Sequence, residues 1–156
     1  MDATTQNSLF KACEVSLSYI TKVKASERYK IESSAMAYKL LIDNFFDCTT
    51  IEHKESFKII LLNQANKVLG VSSIAEGGIS ATVADLRLIM QVAILANASS
   101  IIIAHNHPSG NTKPSANDDK ITEDIKKACG FMQINLLDHL IVTPEQYFSY
   151  ADEGRI

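Results

Sequence analysis

The residues that most constrain this chain are 101–119, IIIAHNHPSGNTKPSANDD. Ile101–Ala104 is wholly apolar and short, which suits a strand in a sheet interior with both faces covered. In an extended chain, residues two apart point the same way. His105 and His107, at the end of that strand, therefore present both imidazoles to one side, and Asn106 turns away. The result is a rigid two-nitrogen half-site at the carboxyl edge of a sheet, where open α/β sheets commonly bind ligands. The loop PSGNTKP, with two prolines and a glycine, can turn the chain back sharply. It delivers Ser115 as the N-cap of a helix and Asp118 into its first turn, where the macrodipole favours an ionised carboxylate. Two neutral histidines and one carboxylate make an open metal site with a position left for water. Asp119 is rotated by about 100° around the helix and is expected to face solvent. Ser115-x-x-Asp118 is equally a capping-box pattern, which needs no metal.

The rest of the chain supplies the frame. Residues 1–13 are expected to be an N-terminal tail or a short helix, and residues 14–156 to make a single domain. EVSLSYITKVK (14–24) alternates Val15, Leu17, Tyr19 and Val23 against polar neighbours, as a half-buried strand does. SSAMAYKLLIDNFF (33–46) has helical periodicity, with Met36, Leu40, Leu41 and Phe45 on one side and Ser33 or Ser34 as cap. Phe57–Leu62 and Val68–Ile74 are expected to be strands of a hairpin joined by NQANK. A helix then runs from a Thr82 cap, with Asp85 three residues on and Val83, Leu86, Ile89, Met90, Ala93 and Leu95 facing inward. A further helix spans Ser115–Cys129 with Gly130 as its stop. Strands follow at 134–142 and near Tyr147–Tyr150. This alternation implies an α/β domain with a mixed β-sheet flanked by helices.

Composition narrows the function classes. At 156 residues the chain is long enough to bury a core without disulfides. The three cysteines, Cys13, Cys48 and Cys129, are widely spaced with no C-x-x-C, and read as reduced thiols of a cytoplasmic protein. No apolar run is long enough to span a bilayer, and the N-terminus has no signal-peptide pattern. A formal net charge of −3 gives no strong nucleic-acid signal. The basic run KVKASERYK (22–30) reads as a solvated edge. His53 is expected to be exposed, and Asp138–His139 to be a hydrogen-bonded structural pair rather than a source of a fourth ligand.

The joint pattern, H-x-H, seven residues, then S-x-x-D on a strand–loop–helix, resembles the JAMM (MPN+) motif of metalloproteases. AHNHPSG followed by PS and Asp118, with LLDHLIV after the next helix, is similar to the RadC-type bacterial branch, over roughly residues 34–150. The resemblance implies a three-layer, cytidine-deaminase-like architecture. It also implies zinc held by His105, His107 and Asp118, and Ser115 steadying a tetrahedral intermediate. A glutamate before a core strand would act as general base; Glu55 stands in the matching place, with Glu52 the alternative.

Two function classes follow. One is a zinc-dependent hydrolase that cuts an amide or isopeptide bond in a peptide or protein-conjugate substrate. The other is a non-catalytic metal-binding module linked to DNA repair or maintenance. The acidic balance and the absence of any glycine before Gly70, hence of a glycine-bearing helix–hairpin–helix there, speak for the first. Zinc deaminases need H-x-E and P-C-x-x-C, and this chain has neither at the corresponding positions.

Overall fold

The computed structural model describes Ser16, residues 22–77 and residues 84–156. The tail 1–13 and nearly all of the strand expected at 14–24 lie outside the described residues, and residues 22–24 are not strand. Among the described residues the order is α1 (Ser34–Asn44), β1 (Ser56–Leu62), β2 (Val68–Glu76), α2 (Leu86–Leu95), β3 (Ser100–Asn106), α3 (Ala116–Phe131), β4 (Asn135–Val142) and β5 (Tyr147–Ser149). The strands form one sheet in the order β2-β1-β3-β4-β5. β3 and β4 pair in parallel across the α3 connection, and the other pairs are antiparallel.

Strand alternation divides the core in two. Ile59 and Leu61 of β1 and Ile101 and Ile103 of β3 pack with Ile89 and Ala93 of α2 and Ile125 and Cys129 of α3. Ile60, Leu62, Ile102 and Ala104 point the other way, onto Ala37 and Leu41 of α1 and onto Phe46. The molecule is therefore the expected three-layer α/β sandwich around a mixed sheet. β1 and β3 are buried at every position, as strands covered on both faces must be.

Local details depart from expectation for identifiable reasons. In α1 the buried stripe is Ala37 and Leu41, one turn apart; the helix ends at Asn44, so Phe45 is exposed and Phe46 turns inward. Thr82 and Val83, assigned above to the cap and inward stripe of α2, lie outside the described residues. The cap of α2 is Asp85, whose carboxylate accepts from the backbone N–H of Arg87 at 2.8 Å. Leu95 is exposed and Ala96 takes the inward place. Gly130 does not stop α3. The helix runs on to Phe131, and the left-handed residue is Gln133 (φ 56°). The Ile134 N–H returns to the Cys129 carbonyl at 2.9 Å and the Gln133 N–H to the Gly130 carbonyl at 3.3 Å, a Schellman closure that satisfies the last carbonyls. The described cysteines, Cys48 and Cys129, are unpaired thiols, and burial pushes Cys129 up to about 11. No helix among the described residues is long and apolar enough to cross a membrane.

Candidate metal centre

His105 continues the face of β3 that carries Ile101 and Ile103, so its ring points towards α3. The β1 pairing sets it opposite Phe57, and the two rings stack at 5.9 Å with planes 5° apart. His107 follows the end of β3, its N–H held by the Val142 carbonyl at 3.2 Å. The loop then carries the chain round to Ser115, which caps α3 in a reciprocal capping box with Asp118. That cap aims the Asp118 carboxylate back at the two rings. His105 Nε2 lies 3.0 Å from His107 Nε2 and 3.1 Å from Asp118 Oδ1, and His107 Nε2 lies 3.6 Å from Asp118 Oδ2. All three donors stand within 4.8 Å of one another. The strand alternation of β3 and the turn-back of the loop thus bring together the three residues expected from the sequence.

The electrostatics bind the cluster in the metal-free state. Burial by itself would raise the Asp118 carboxyl. Hydrogen bonds from His105 and His107, with the charge of His105, outweigh it and hold the group far below the ordinary carboxylate range. His107 is pushed the other way, above the ordinary imidazole value, chiefly by its hydrogen bond to Asp118. Burial opposes that rise, and the Asn111 carbonyl and the charges of Asp118 and Glu55 add to it. His107 Nδ1 lies 2.6 Å from the Asn111 carbonyl. A carbonyl only accepts, so the proton sits on Nδ1 and Nε2 is the atom left to face Asp118.

Glu55 immediately precedes β1. Its backbone carbonyl accepts from the Gly77 N–H at 2.9 Å, and extending the Phe57–His105 pairing outward by two residues sets it opposite His107. Its side chain is partly buried and its charge acts on His107, whereas Glu52 and His53 are exposed. Asp119 is exposed as expected, though it is not idle: it accepts from the Tyr150 hydroxyl at 2.8 Å and from Arg155 at 3.2 Å.

Two residues at the centre do more than the sequence suggested. Asn106, expected only to turn away, is fully buried. Its Oδ1 accepts from the N–H of Ser56 at 2.7 Å and from its hydroxyl at 3.1 Å; its Nδ2 donates to the carbonyls of Ile51 at 2.6 Å and Lys54 at 2.9 Å. The amide thus ties down the segment that carries Glu55. A polar residue between two histidines at a buried strand end was the available signal. His139 is the other. The Asp138 and His139 side chains do not pair with each other. The Asp138 carboxylate accepts from the Ser149 hydroxyl at 2.6 Å and from the N–H groups of His139 and Ala151 at 2.7 and 3.0 Å. The His139 ring lies behind His105 and contributes no donor to the three-residue cluster.

Residues 31–155 match the family described as the RadC-like JAB domain. Among curated proteins the chain is similar to a UPF0758 protein of Porphyromonas gingivalis, with 41% identity over 128 residues, 81% of this chain and 55% of that protein. A UPF0758 protein of Flavobacterium johnsoniae is 41% identical over 100 residues, 64% of this chain and 44% of its own length. One from Streptococcus sanguinis is 44% identical with the same coverage. The chain spans about half the length of the curated relatives it matches.

Proposed function

Because this chain belongs to the RadC-like JAB domain family, we propose that it is a zinc-dependent hydrolase that cleaves an amide or isopeptide bond in a peptide or protein conjugate. The observation that carries the reading is the convergence of His105 Nε2, His107 Nε2 and the Asp118 carboxylate. Donors placed tetrahedrally at 2.0–2.1 Å from zinc stand roughly 3.3 Å apart. The separations of 3.0, 3.1 and 3.6 Å bracket that value. Two neutral imidazoles and one carboxylate also leave a position for water, as catalytic zinc sites do.

When bound there, zinc supplies Lewis acidity and lowers the pKa of a water to about 7. His105, His107 and Asp118 would hold it. Glu55 accepts the proton of the attacking water and returns it to the leaving amine, the work of a carboxylate base. Ser115 Oγ accepts the Asp118 N–H, which leaves its own hydrogen to be donated towards the developing oxyanion. Capping and catalysis are therefore compatible at one hydroxyl.

The test begins with metal content. Purified protein is expected to carry one zinc per chain and to lose it in His107→Ala. Glu55→Gln should keep the metal, lower turnover by about 10²–10⁴-fold and retain substrates from cell extract that wild type releases. Protein without stoichiometric zinc, or zinc indifferent to His107→Ala, defeats the reading. Salt-dependent DNA binding that survives Glu55→Gln would favour the non-catalytic module instead.

A further inference from the structure

We propose that Thr122 and His139 form a one-way hydrogen-bond relay that keeps a proton on His105 Nδ1, so that Nε2 is the atom His105 offers to an ion. The proposal rests on the metal-site reading above and adds two positioning residues to it. Thr122 Oγ1 lies 2.6 Å from the Asp118 carbonyl oxygen and also 2.6 Å from His139 Nδ1. A hydroxyl has one proton, and a carbonyl has none to give. The Thr122 proton must therefore go to Asp118, and His139 Nδ1 must donate to Thr122. His139 is fully buried against Tyr150, ring to ring at 4.9 Å, and no carboxylate bonds its ring among the described residues. Such a site excludes a second ring proton, so His139 Nε2 is bare. It lies 2.8 Å from His105 Nδ1, which must be the donor.

The relay starts and ends on proposed ligands. Asp118 and Thr122 are one helical turn apart on the same face of α3. The chain of bonds runs from the Asp118 backbone through Thr122 and His139 to His105, whose Nε2 meets the Asp118 carboxylate at 3.1 Å. Asn111 does the same for His107 from the opposite side, so both imidazoles present Nε2. Outer partners of this kind fix the tautomer and orientation of a ligating ring.

A β-bulge makes the relay possible. β4 pairs Leu136 with Ile101 but Asp138 with Ile102, which leaves Leu137 as an extra residue. Without it, alternation from Leu136 would put Asp138 on the α3 side and His139 on the α1 side. The bulge reverses this and places His139 beside Ile103, one step from His105.

Thr122→Val keeps the shape but cannot accept from His139, and Thr122→Ser restores the hydroxyl. By chelator competition, Thr122→Val should bind zinc about 10–100-fold more weakly, with Thr122→Ser near wild type. Nitrogen-15 NMR of wild type should find His105 Nδ1 protonated with or without zinc, a readout that needs no variant to fold. Wild-type zinc affinity in Thr122→Val, failure of Thr122→Ser to restore it, or a bare His105 Nδ1 overturns the relay. If wild type takes up no zinc, the hydrolase reading fails, while the nitrogen spectrum of the zinc-free protein still decides the relay.

Discussion

Ser115 and Asp118 hold each other reciprocally: the Asp118 N–H donates to Ser115 Oγ at 3.2 Å, and the Ser115 N–H donates to Asp118 Oδ2 at 2.7 Å. One oxygen of the carboxylate is thereby engaged by the backbone while the other meets His105. Ser115→Ala removes the cap and is expected to cost about 1 kcal/mol of stability, measurable in urea titrations. Zinc affinity should fall little, because the Ser115 N–H still orients Asp118. Turnover should fall by far more than the cap alone explains. Equal, small losses in stability and rate would reduce Ser115 to a cap.

Asn106 uses both ends of its amide on the segment 51–56. Asn106→Asp keeps the shape and the Oδ1 contacts but turns an oxygen towards the Ile51 and Lys54 carbonyls. Burying a carboxylate against two acceptors should cost roughly 3 kcal/mol. Hydrogen exchange should rise first in residues 51–55, the turn that holds Glu55. Unchanged protection there would detach Asn106 from the placement of Glu55.

Metal uptake should depend on pH with a defined sign. The folded pKa of His107 is raised, so in the metal-free protein its contribution to stability is full below the unfolded value of 6.5 and is lost as pH climbs through the folded one. Asp118 is depressed, so its contribution is present above 3.8 and is lost as pH falls through its folded value. The ion pair therefore stabilises the metal-free fold most between these limits. Zinc must displace the His107 proton, so affinity should rise with pH by up to about tenfold per unit while that proton is bound. Chelator competition from pH 6 to 8 tests this; a flat profile contradicts it.

Ile125 is fully buried between α3 and the sheet. Ile125→Ala should cost about 2–5 kcal/mol, with the unfolding transition of zinc-loaded protein moved to lower urea. Since α3 carries Asp118 and Thr122, zinc affinity should weaken as well, although no ligand is touched. Destabilisation with unchanged affinity would show that the N-terminal turn of α3 is held by its loop alone.

The three clustered donors were legible because they lie close together in the chain. One strand end fixes His105 and His107 on the same side, and one turn-rich loop returns Asp118 to them. Glu55 was singled out only through family resemblance, since a glutamate before a strand says nothing by itself about a loop some fifty residues away. The start of α2 and the stop of α3 were set by Asp85 and by the turn at Gln133, which satisfy the end groups there, whereas Gly130 matched a stop only by residue type.

The layered α/β fold and the imidazole pair could be read from the chain's own pattern, since apolar periodicity and strand alternation are local properties that need no knowledge of neighbours. Tertiary structure alone decided that His139 backs His105 and that Asn106 holds the turn before β1. Both depend on which strands lie side by side and in what register. A single extra residue at Leu137 reverses every side chain after it. No pattern within β4 records that shift, because the bulge exists only in the pairing with β3.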